Sequence, residues 1–234
     1  MVASGMIAVI PARGGSKRIP RKNIVDFCGK PLIAWTIEAA LQSDIFDMVL
    51  VSTDDEDIAD ISRHYGAQVP FLRRASADDI SPVSLATLDA LDQLAERCRA
   101  SYDIVMQLMP NCPLRTASDI LAAKNHFDAR QADFQLSCFQ YSLANPFWAV
   151  TLDSEGNPSA LFPEAFKSRS QDLPKLYCPT GAIWIARSEP LKKAATFYGP
   201  GHRFFELSWR AAIDIDTEDD LTLARAVAQT SFAK

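Results

Sequence analysis

Short apolar runs alternate with amphipathic stretches along the chain. The apolar runs lie at residues 7–10, 48–51, 68–71, 103–108, 134–139 and 181–186, and their lengths are typical of buried strands. Helical patterns separate them at residues 31–43, 53–65, 83–98 and 119–127. A short helix is predicted after Ser188, then a strand that ends near Asp214, and a last helix capped by Thr217. This alternation predicts an α/β fold, Rossmann-like, with a mostly parallel sheet and helices on both faces.

The alternation breaks between residues 142 and 176, where prolines and short polar runs favour β-hairpins over helices. We predict a single domain over residues 1–234, with this segment as a small β-rich excursion. The excursion carries more apolar side chains than a free hairpin normally exposes, namely Phe147, Trp148, Leu161, Phe162 and Phe166.

Composition limits the classes of partner. The net charge of the 234 residues is -5, which argues against a nucleic-acid-binding scaffold. The five cysteines are an odd number and widely spaced, as expected for reduced thiols in a cytoplasmic protein. The sequence has no secretory signal pattern and no apolar run of bilayer-spanning length, so we expect no membrane partner.

A basic, glycine-containing loop follows the first strand directly. Its cations are Arg13, Lys17, Arg18, Arg21 and Lys22, interleaved with Gly14, Gly15, Ser16 and Asn23. Neither the Walker pattern nor the dinucleotide fingerprint is present, but open α/β sheets bind ligands at this position. We predict that Arg13 and Lys17 bind a triphosphate, that Ser16 and the Gly14 and Gly15 amides are neutral donors, and that Lys22 and Asn23 make a second contact. The alternative is a solvated basic turn, and we favour it for Arg18 and Arg21.

The stretch IAVIPARGGSKRIPRKNI, residues 7–24, resembles the nucleotide-binding signature of the CMP-sialic acid synthetase family, the sugar-acid cytidylyltransferases. The shared pattern is Pro-Ala-Arg, two small residues, Ser-Lys, Pro and Lys-Asn. The resemblance extends to the last helix. It implies that CTP binds to a loop made of Ala12, Arg13, Gly14, Gly15, Ser16, Lys17, Lys22 and Asn23.

Two aspartates near the carboxyl end are candidate metal ligands. Asp214 and Asp216 alternate with Ile213 and Ile215, so on an extended segment both carboxylates would point the same way. Such a pair, together with substrate phosphates, suits Mg²⁺, with Mn²⁺ as an alternative ion. The resemblance implies the same role. The other interpretation is that these aspartates simply cap the last helix.

The resemblance also implies residues for the base and the sugar. Arg73 and Ser84 stand where the family reads cytosine, although by itself Arg73 would be an ordinary surface cation. In LMPNCPLR, residues 108–115, Met109 replaces a glutamine that contacts substrate in the family, and Gln107 could point to the same face. Asn111 and Cys112 replace two hydroxyl residues. The remaining sugar candidates are Arg169, Gln171, Tyr177, Phe197 and Tyr198, and core packing is an equal alternative for Phe197 and Tyr198.

From these motifs we predict a nucleotidyltransferase that joins CMP from CTP to a 2-keto-3-deoxy sugar acid of the sialic, legionaminic or pseudaminic type and releases pyrophosphate. Arg13, Lys17, Lys22, Asp214 and Asp216 are the predicted catalytic residues. One alternative is an enzyme for Kdo or another sugar, and a second is a non-catalytic nucleotide-binding regulator. In the family resembled, the excursion completes a partner's sugar pocket, so a homodimer is expected.

Overall fold

Strands and helices alternate through residues 5–73, 83–141 and 144–232, which the computed structural model describes. The strands are β1 (Met6–Pro11), β2 (Asp26–Phe27), β3 (Lys30–Pro31), β4 (Met48–Ser52), β5 (Ile104–Gln107), β6 (Phe134–Gln140), β7 (Val150–Leu152), β8 (Pro158–Ala160), β9 (Tyr177–Arg187) and β10 (Arg203–Glu206). The helices are α1 (Leu32–Gln42), α2 (Glu56–His64), α3 (Val83–Gln93), α4 (Ala117–Arg130), α5 (Ser188–Ala194) and α6 (Glu218–Phe232).

The main sheet has the strand order β10-β6-β9-β5-β1-β4. Strand β1 is parallel to both β4 and β5, and β10 is parallel to β6. Only β9 among these six described strands runs antiparallel to its neighbours, β5 and β6. The sheet is therefore mixed and mostly parallel, as predicted.

Helices cover both faces of the sheet, and the side-chain alternation of β1 explains how. Ala8 and Ile10 pack into a core cluster that contains Ile33 of α1 and Ile120 of α4. The intervening residues Ile7 and Val9 pack into a second cluster, with Leu91 of α3 and Leu191 of α5. A strand buried on both faces needs a continuous apolar run, which explains why residues 7–10 are all apolar.

Two predicted strands are wrong. At residues 68–71 only Gln68 pairs with the sheet, through a single bridge to Leu50, and Pro70 lacks the N–H that would continue the ladder. The strand expected to end near Asp214 is instead β10, which ends at Glu206, and an irregular segment follows it. In that segment the backbone of Ile215 bonds to Asn111 and not to a neighbouring strand.

The excursion contains one antiparallel hairpin, β7 with β8, followed by short 3-10 turns. It exposes large apolar side chains, among them Leu152, Leu161 and Phe166. Its predicted first residues, Ser142 and Leu143, lie outside the described residues, as do residues 74–82. The α3 helix ends earlier than predicted, and a π-helical turn, Leu94–Cys98, continues it.

Candidate active site

The loops after β1 and β5 meet at one edge of the sheet. These strands are parallel neighbours, with Val9 paired to Gln107, so the loops that follow them leave the sheet at the same end. The connection from β1 leads to β4 on one side, whereas β5 lies on the other side. The two strands therefore flank a topological switch point, where open α/β sheets form a ligand crevice.

A cleft with a cavity volume of about 210 Å³ opens at this point. It combines cations from the loop after β1, residues of the segment after β5, and one carboxylate from the segment before α6. The lining residues are Pro11, Arg13, Ser16, Lys17, Arg18, Ile19, Lys22, Asn23, Met109, Pro110, Asn111 and Asp216. Most of the predicted phosphate-binding side chains thus share one cleft with a predicted metal ligand.

Asp216 is bound to two cations of the basic loop. Lys22 Nζ donates to Asp216 Oδ1 over 2.7 Å, and Arg18 Nη2 donates to Asp216 Oδ2 over 2.8 Å. Arg18 therefore lines the cleft. Its side chain is nevertheless 65% exposed, which agrees with the solvated role predicted for it. Arg21 is also paired, but outside the cleft, with Asp55 and Asp57.

Asn111 links the two candidate metal ligands. Its Nδ2 donates to Asp214 Oδ1 and lies 3.5 Å from Asp216 Oδ1. Asn111 is buried, and within the described part of the chain its Oδ1 has no hydrogen-bond partner. Our sequence interpretation missed this role; the only signal was that asparagine replaces a hydroxyl residue in LMPNCPLR.

The segment that carries the aspartates is held by its own core contacts. Ile215 is fully buried and packs in a cluster with Ile19, Leu32 and Leu221. Its N–H donates to the Asn111 carbonyl over 2.9 Å, and its carbonyl accepts from Lys22 Nζ over 2.8 Å. The apolar–acidic alternation was therefore interpreted correctly as inward isoleucine and outward aspartates, although the segment is not a strand.

The two carboxyl groups have opposite pKa shifts. Asp214 keeps an exposed edge, yet desolvation by the surrounding protein raises its pKa to about 6, and the charge of Asp216 adds to the rise. For Asp216, partial burial opposes ionisation, but the hydrogen bond and charge of Lys22 outweigh it and lower the pKa. Arg18 lowers it further. At neutral pH Asp216 is thus the more firmly charged member of the pair.

Gly14 stands where the basic loop touches the end of β4. Its N–H donates to Asp54 Oδ1 over 3.0 Å, so the predicted donation of this amide to phosphate would require that bond to open. A Cβ on Gly14 would lie 2.9 Å from Asp55 Cβ and 2.6 Å from Asp55 Oδ2. A glycine is therefore required here by close approach. By contrast, no described atom lies within 4 Å of a Cβ placed on Gly15.

Two other predicted loop residues have internal roles. Asn23 is buried, and its Nδ2 donates to the Arg13 carbonyl over 2.9 Å, which closes the basic loop. Ala12 is also buried, and its N–H donates to Ser52 at the end of β4. These contacts place the loop relative to the sheet.

The two residues predicted to read the base are buried. Arg73 is 6% exposed, so the surface-cation alternative is wrong. Its Nη2 lies 3.9 Å from Asp54 Oδ1, its Nε has no partner among the described residues, and burial lowers the pKa of the guanidinium. Ser84 lies in the first turn of α3. Neither residue lines the cleft described above.

The predicted sugar residues are dispersed. Of these, only Met109 lines the cleft; Gln107 is fully buried and accepts from Thr87 Oγ1 over 2.7 Å. Phe197 is also fully buried and packs on the Trp184 ring, which agrees with the packing alternative.

The other four sugar candidates lie at the surface outside the cleft. Tyr177 and Tyr198 are exposed, and Gln171 is exposed in a 3-10 turn. Arg169 is paired with Asp172 over 2.7 Å. Their role in sugar binding stays a prediction.

The donor set suits a hard cation that also binds phosphate. Within the described ranges, no group of three or more His, Cys, Asp or Glu side chains comes together as a metal site. Asp214, Asp216 and the Ile215 carbonyl nevertheless present oxygens around Asn111 Nδ2, and Asn111 Oδ1 is a further, unpartnered oxygen. Two carboxylates completed by substrate phosphates and water are a usual arrangement for Mg²⁺.

Three comparisons with known proteins bear on this site. Residues 7–199 match the family described as Cytidylyltransferase. The chain is 38% identical over 222 residues to a pseudaminic acid cytidylyltransferase of Campylobacter jejuni, covering 94% of each chain. It is 37% identical over 228 residues to a CMP-N,N'-diacetyllegionaminic acid synthase of Legionella pneumophila, covering 93% of this chain and 94% of that one.

The fold is also similar to a solved structure. This structure is a CMP:2-keto-3-deoxy-manno-octonic acid synthetase complexed with CTP, with a TM-score of 0.73 and 21% identity over 98% of this chain and all of that chain. None of the helices in the described part of the chain has the length and apolar character that a membrane crossing needs. The family match and the relatives favour the predicted transfer of CMP to an acid of the sialic, legionaminic or pseudaminic type over both alternatives. The chain is therefore a nucleotidyltransferase and belongs to the cytidylyltransferase family.

Proposed function

We propose that the chain transfers CMP from CTP to pseudaminic acid or a closely related nine-carbon 2-keto-3-deoxy sugar acid, with release of pyrophosphate. The observation that carries the proposal is the single cleft at the ends of β1 and β5, where Arg13, Lys17 and Lys22 face Asp216. The choice of acid is supported by the 38% identity to a pseudaminic acid cytidylyltransferase over nearly the full length of both chains.

The reaction places new charge where the cleft has cations. The anomeric hydroxyl oxygen of the sugar attacks the α-phosphorus and forms a new oxygen–phosphorus bond. The bond from the α-phosphorus to the bridging oxygen breaks, pyrophosphate leaves with that electron pair, and the hydroxyl proton passes to solvent. Arg13, Lys17 and Lys22 stabilise the charge on the departing pyrophosphate, because fixed cations need no reorganisation during the step. Ser16 adds a neutral donor.

We assign Asp214 and Asp216 as the residues that would hold Mg²⁺, with Mn²⁺ as the alternative ion. When bound, such an ion supplies positive charge to the phosphate oxygens. Lys22 and Arg18 must then leave Asp216, at least in part, and this makes them available to phosphate. The chain's own cations and the ion thus compete for the same carboxylate, that of Asp216.

Nucleotide and sugar recognition are assigned to different elements. Arg73 and Ser84 are proposed to read the cytosine ring, which agrees with a buried guanidinium that keeps an unpartnered Nε among the described contacts. Met109 is the proposed sugar contact within the cleft, with Tyr198 and Tyr177 as exposed aromatic candidates. Arg169 is the proposed partner of the sugar carboxylate and would exchange Asp172 for it.

The second candidate substrate is legionaminic acid. The observation in its favour is the 37% identity to a diacetyllegionaminic acid synthase, almost equal to the first relative. Both acids are nonulosonic acids, so the same phosphate chemistry would serve either. The difference between them would be read on the sugar side of the cleft.

We also propose a cytoplasmic homodimer of single-domain chains. Each chain exposes Leu152, Leu161, Phe162 and Phe166 on the excursion, and burial against a second copy would remove this apolar surface from water. The excursion would then lie over the partner's cleft region and complete its sugar side.

The test is pyrophosphate release from CTP in the presence of Mg²⁺ and one acid at a time. The panel contains pseudaminic, legionaminic, N-acetylneuraminic and Kdo acids. We expect pseudaminic acid to give the highest kcat/KM, and a preference for legionaminic acid would support the second candidate. Activity with Kdo alone, or no pyrophosphate from any acid while CTP still binds, would contradict the proposal.

A further inference from the structure

The amide of Asn111 lies among oxygens that could bind a cation. Its Nδ2 donates to Asp214 Oδ1 and lies 3.4 Å from the Ile215 carbonyl and 3.5 Å from Asp216 Oδ1. Three protein oxygens from one segment therefore surround a single side-chain nitrogen. Lys22 Nζ approaches two of the same oxygens, the Ile215 carbonyl and Asp216 Oδ1.

The other end of the same amide has no matching partner. Asn111 is 5% exposed, and its Oδ1 makes no hydrogen bond to any part of the chain that the structure describes. A buried acceptor left unsatisfied costs roughly 1–3 kcal/mol, so an unused carbonyl oxygen beside a ligand cleft needs an explanation.

Rotation of the amide offers an explanation. The terminal χ2 torsion of asparagine is broad and roughly two-fold, so its nitrogen and oxygen can exchange places without moving the backbone. The nitrogen can only donate, whereas the oxygen is a hard ligand of the type that Mg²⁺ and Mn²⁺ prefer. The backbone is fixed meanwhile by the hydrogen bond from Ile215 N to the Asn111 carbonyl.

We propose that Asn111 is a third protein ligand of the catalytic cation, and that its side-chain amide turns from donor to acceptor when the cation binds. This inference rests on the proposed function, which assigns the cation to Asp214 and Asp216. In the structure Nδ2 takes the place of positive charge between the carboxylates; with the ion present, Oδ1 faces the ion. Lys22 is displaced from the same oxygens and turns to phosphate.

Side-chain NMR of the full-length protein tests the proposal directly. With ¹⁵N-labelled asparagine, the Asn111 Nδ2 resonance is identified by its loss in Asn111→Ala. On titration with Mg²⁺ we expect this resonance to shift and its hydrogen exchange to accelerate at least about tenfold, because the donated bond to Asp214 is lost. An unchanged resonance at saturating Mg²⁺ would overturn the inference.

The chain provides a matched control for this measurement. Asn157 Nδ2 donates to Asp153 Oδ2 over 2.9 Å, which is another asparagine–aspartate pair, and neither residue lines the cleft. Its resonance should not respond to Mg²⁺. A response of equal size at Asn157 would mean that Mg²⁺ acts non-specifically on such pairs, and this too would overturn the inference.

Mn²⁺ affinity, measured from the EPR signal of the unbound ion, separates the inference from the proposed function. We expect Asn111→Ala to weaken Mn²⁺ binding about 10- to 100-fold and Asn157→Ala to leave it unchanged. Full retention of Mn²⁺ affinity in Asp214→Asn and Asp216→Asn would refute the metal assignment in the proposed function. If Mn²⁺ affinity is lost in those two variants but kept in Asn111→Ala, only the role of Asn111 is refuted. If Asn111→Ala does not fold, the wild-type NMR titration still decides, with Asn111→Thr used to identify the resonance.

Discussion

Lys22 and Asp216 are 194 residues apart in the chain, and Lys22 Nζ lies 2.7 Å from Asp216 Oδ1. A predicted phosphate-binding cation and a predicted metal ligand thus neutralise each other across the cleft. Arg18 binds the second oxygen of the same carboxylate. A nucleotide that enters the cleft must therefore compete with Asp216 for these cations, unless a metal ion takes the carboxylate first.

This competition predicts opposite effects of Asp216→Asn on binding and turnover. In EDTA the variant should bind CTP more tightly than wild type, by about five-fold, since removing one charge at this range is worth about 1 kcal/mol. In Mg²⁺ its kcat should fall about 100-fold or more. Isothermal titration calorimetry and pyrophosphate release measure the two effects. Asp128→Asn, at an exposed Lys124 pair, is the control, and CTP binding by Asp216→Asn that is weaker than wild type in EDTA would contradict the competition.

The two aspartates should affect stability with opposite signs in the metal-free protein. The pKa of Asp214 is raised to about 6, so its contribution to stability is fully present below its ordinary pKa near 4 and is lost as the pH rises through 6. Asp214→Asn should therefore be at least as stable as wild type at pH 7.5, with the difference shrinking below pH 6. Thermal unfolding in EDTA across this pH range measures it.

Asp216→Asn is the matched comparison in the same experiment. Lys22 and Arg18 lower the pKa of Asp216 despite its partial burial, so this carboxylate stabilises the fold above its ordinary pKa and loses that effect as the pH falls. The variant should have a lower Tm than wild type at pH 7.5. If both variants shift Tm in the same direction at pH 7.5, the assigned pKa shifts are wrong.

Gly14 and Gly15 should differ sharply when replaced by alanine. At Gly14 the new Cβ would overlap Asp55, the N-cap residue of α2, whose side chain accepts from Ile58 N. Overpacking of this kind costs about 1–3 kcal/mol, and each kcal/mol lowers Tm by about 2–4 °C in a chain of this size. Gly15→Ala meets no described atom and should leave Tm within about 1 °C. Equal Tm values for the two variants would show that the approach to Asp55 is not limiting.

The exposed apolar side chains of the excursion predict the effect of a charge there. Leu161→Asp should convert the proposed homodimer to a monomer, because a carboxylate at an apolar interface loses hydration without gaining a partner. Multi-angle light scattering at a fixed protein concentration measures this. Leu223→Asp on α6 is the control, since Leu223 is 52% exposed and Leu161 is 57% exposed. A monomeric wild type, or dimers in both variants, would refute the proposed interface.

Features that depend on neighbouring residues can be predicted from the local sequence pattern. The apolar run at residues 7–10 predicted β1 because a strand buried on both faces needs apolar side chains at every position. The cations that follow it predicted an anion site because parallel sheets bind ligands at the carboxyl ends of their strands. The cap of α2 is likewise a local feature, since the Asp55 side chain and the Ile58 N–H that it binds lie three residues apart.

Which of these groups meet depends on the packing of segments that are distant in the chain. Nothing in the local pattern indicates that Asn111 lies between Asp214 and Asp216, because burial of Ile215 beside Ile19 and Leu221 brings the segments together. The local pattern also does not show that Phe197 is buried against Trp184 while its neighbour Tyr198 is exposed. Residue type sets what chemistry a side chain can perform. The packing of distant segments sets which partners it has, and in this protein those partners turn phosphate-binding cations and metal ligands into one electrostatic unit.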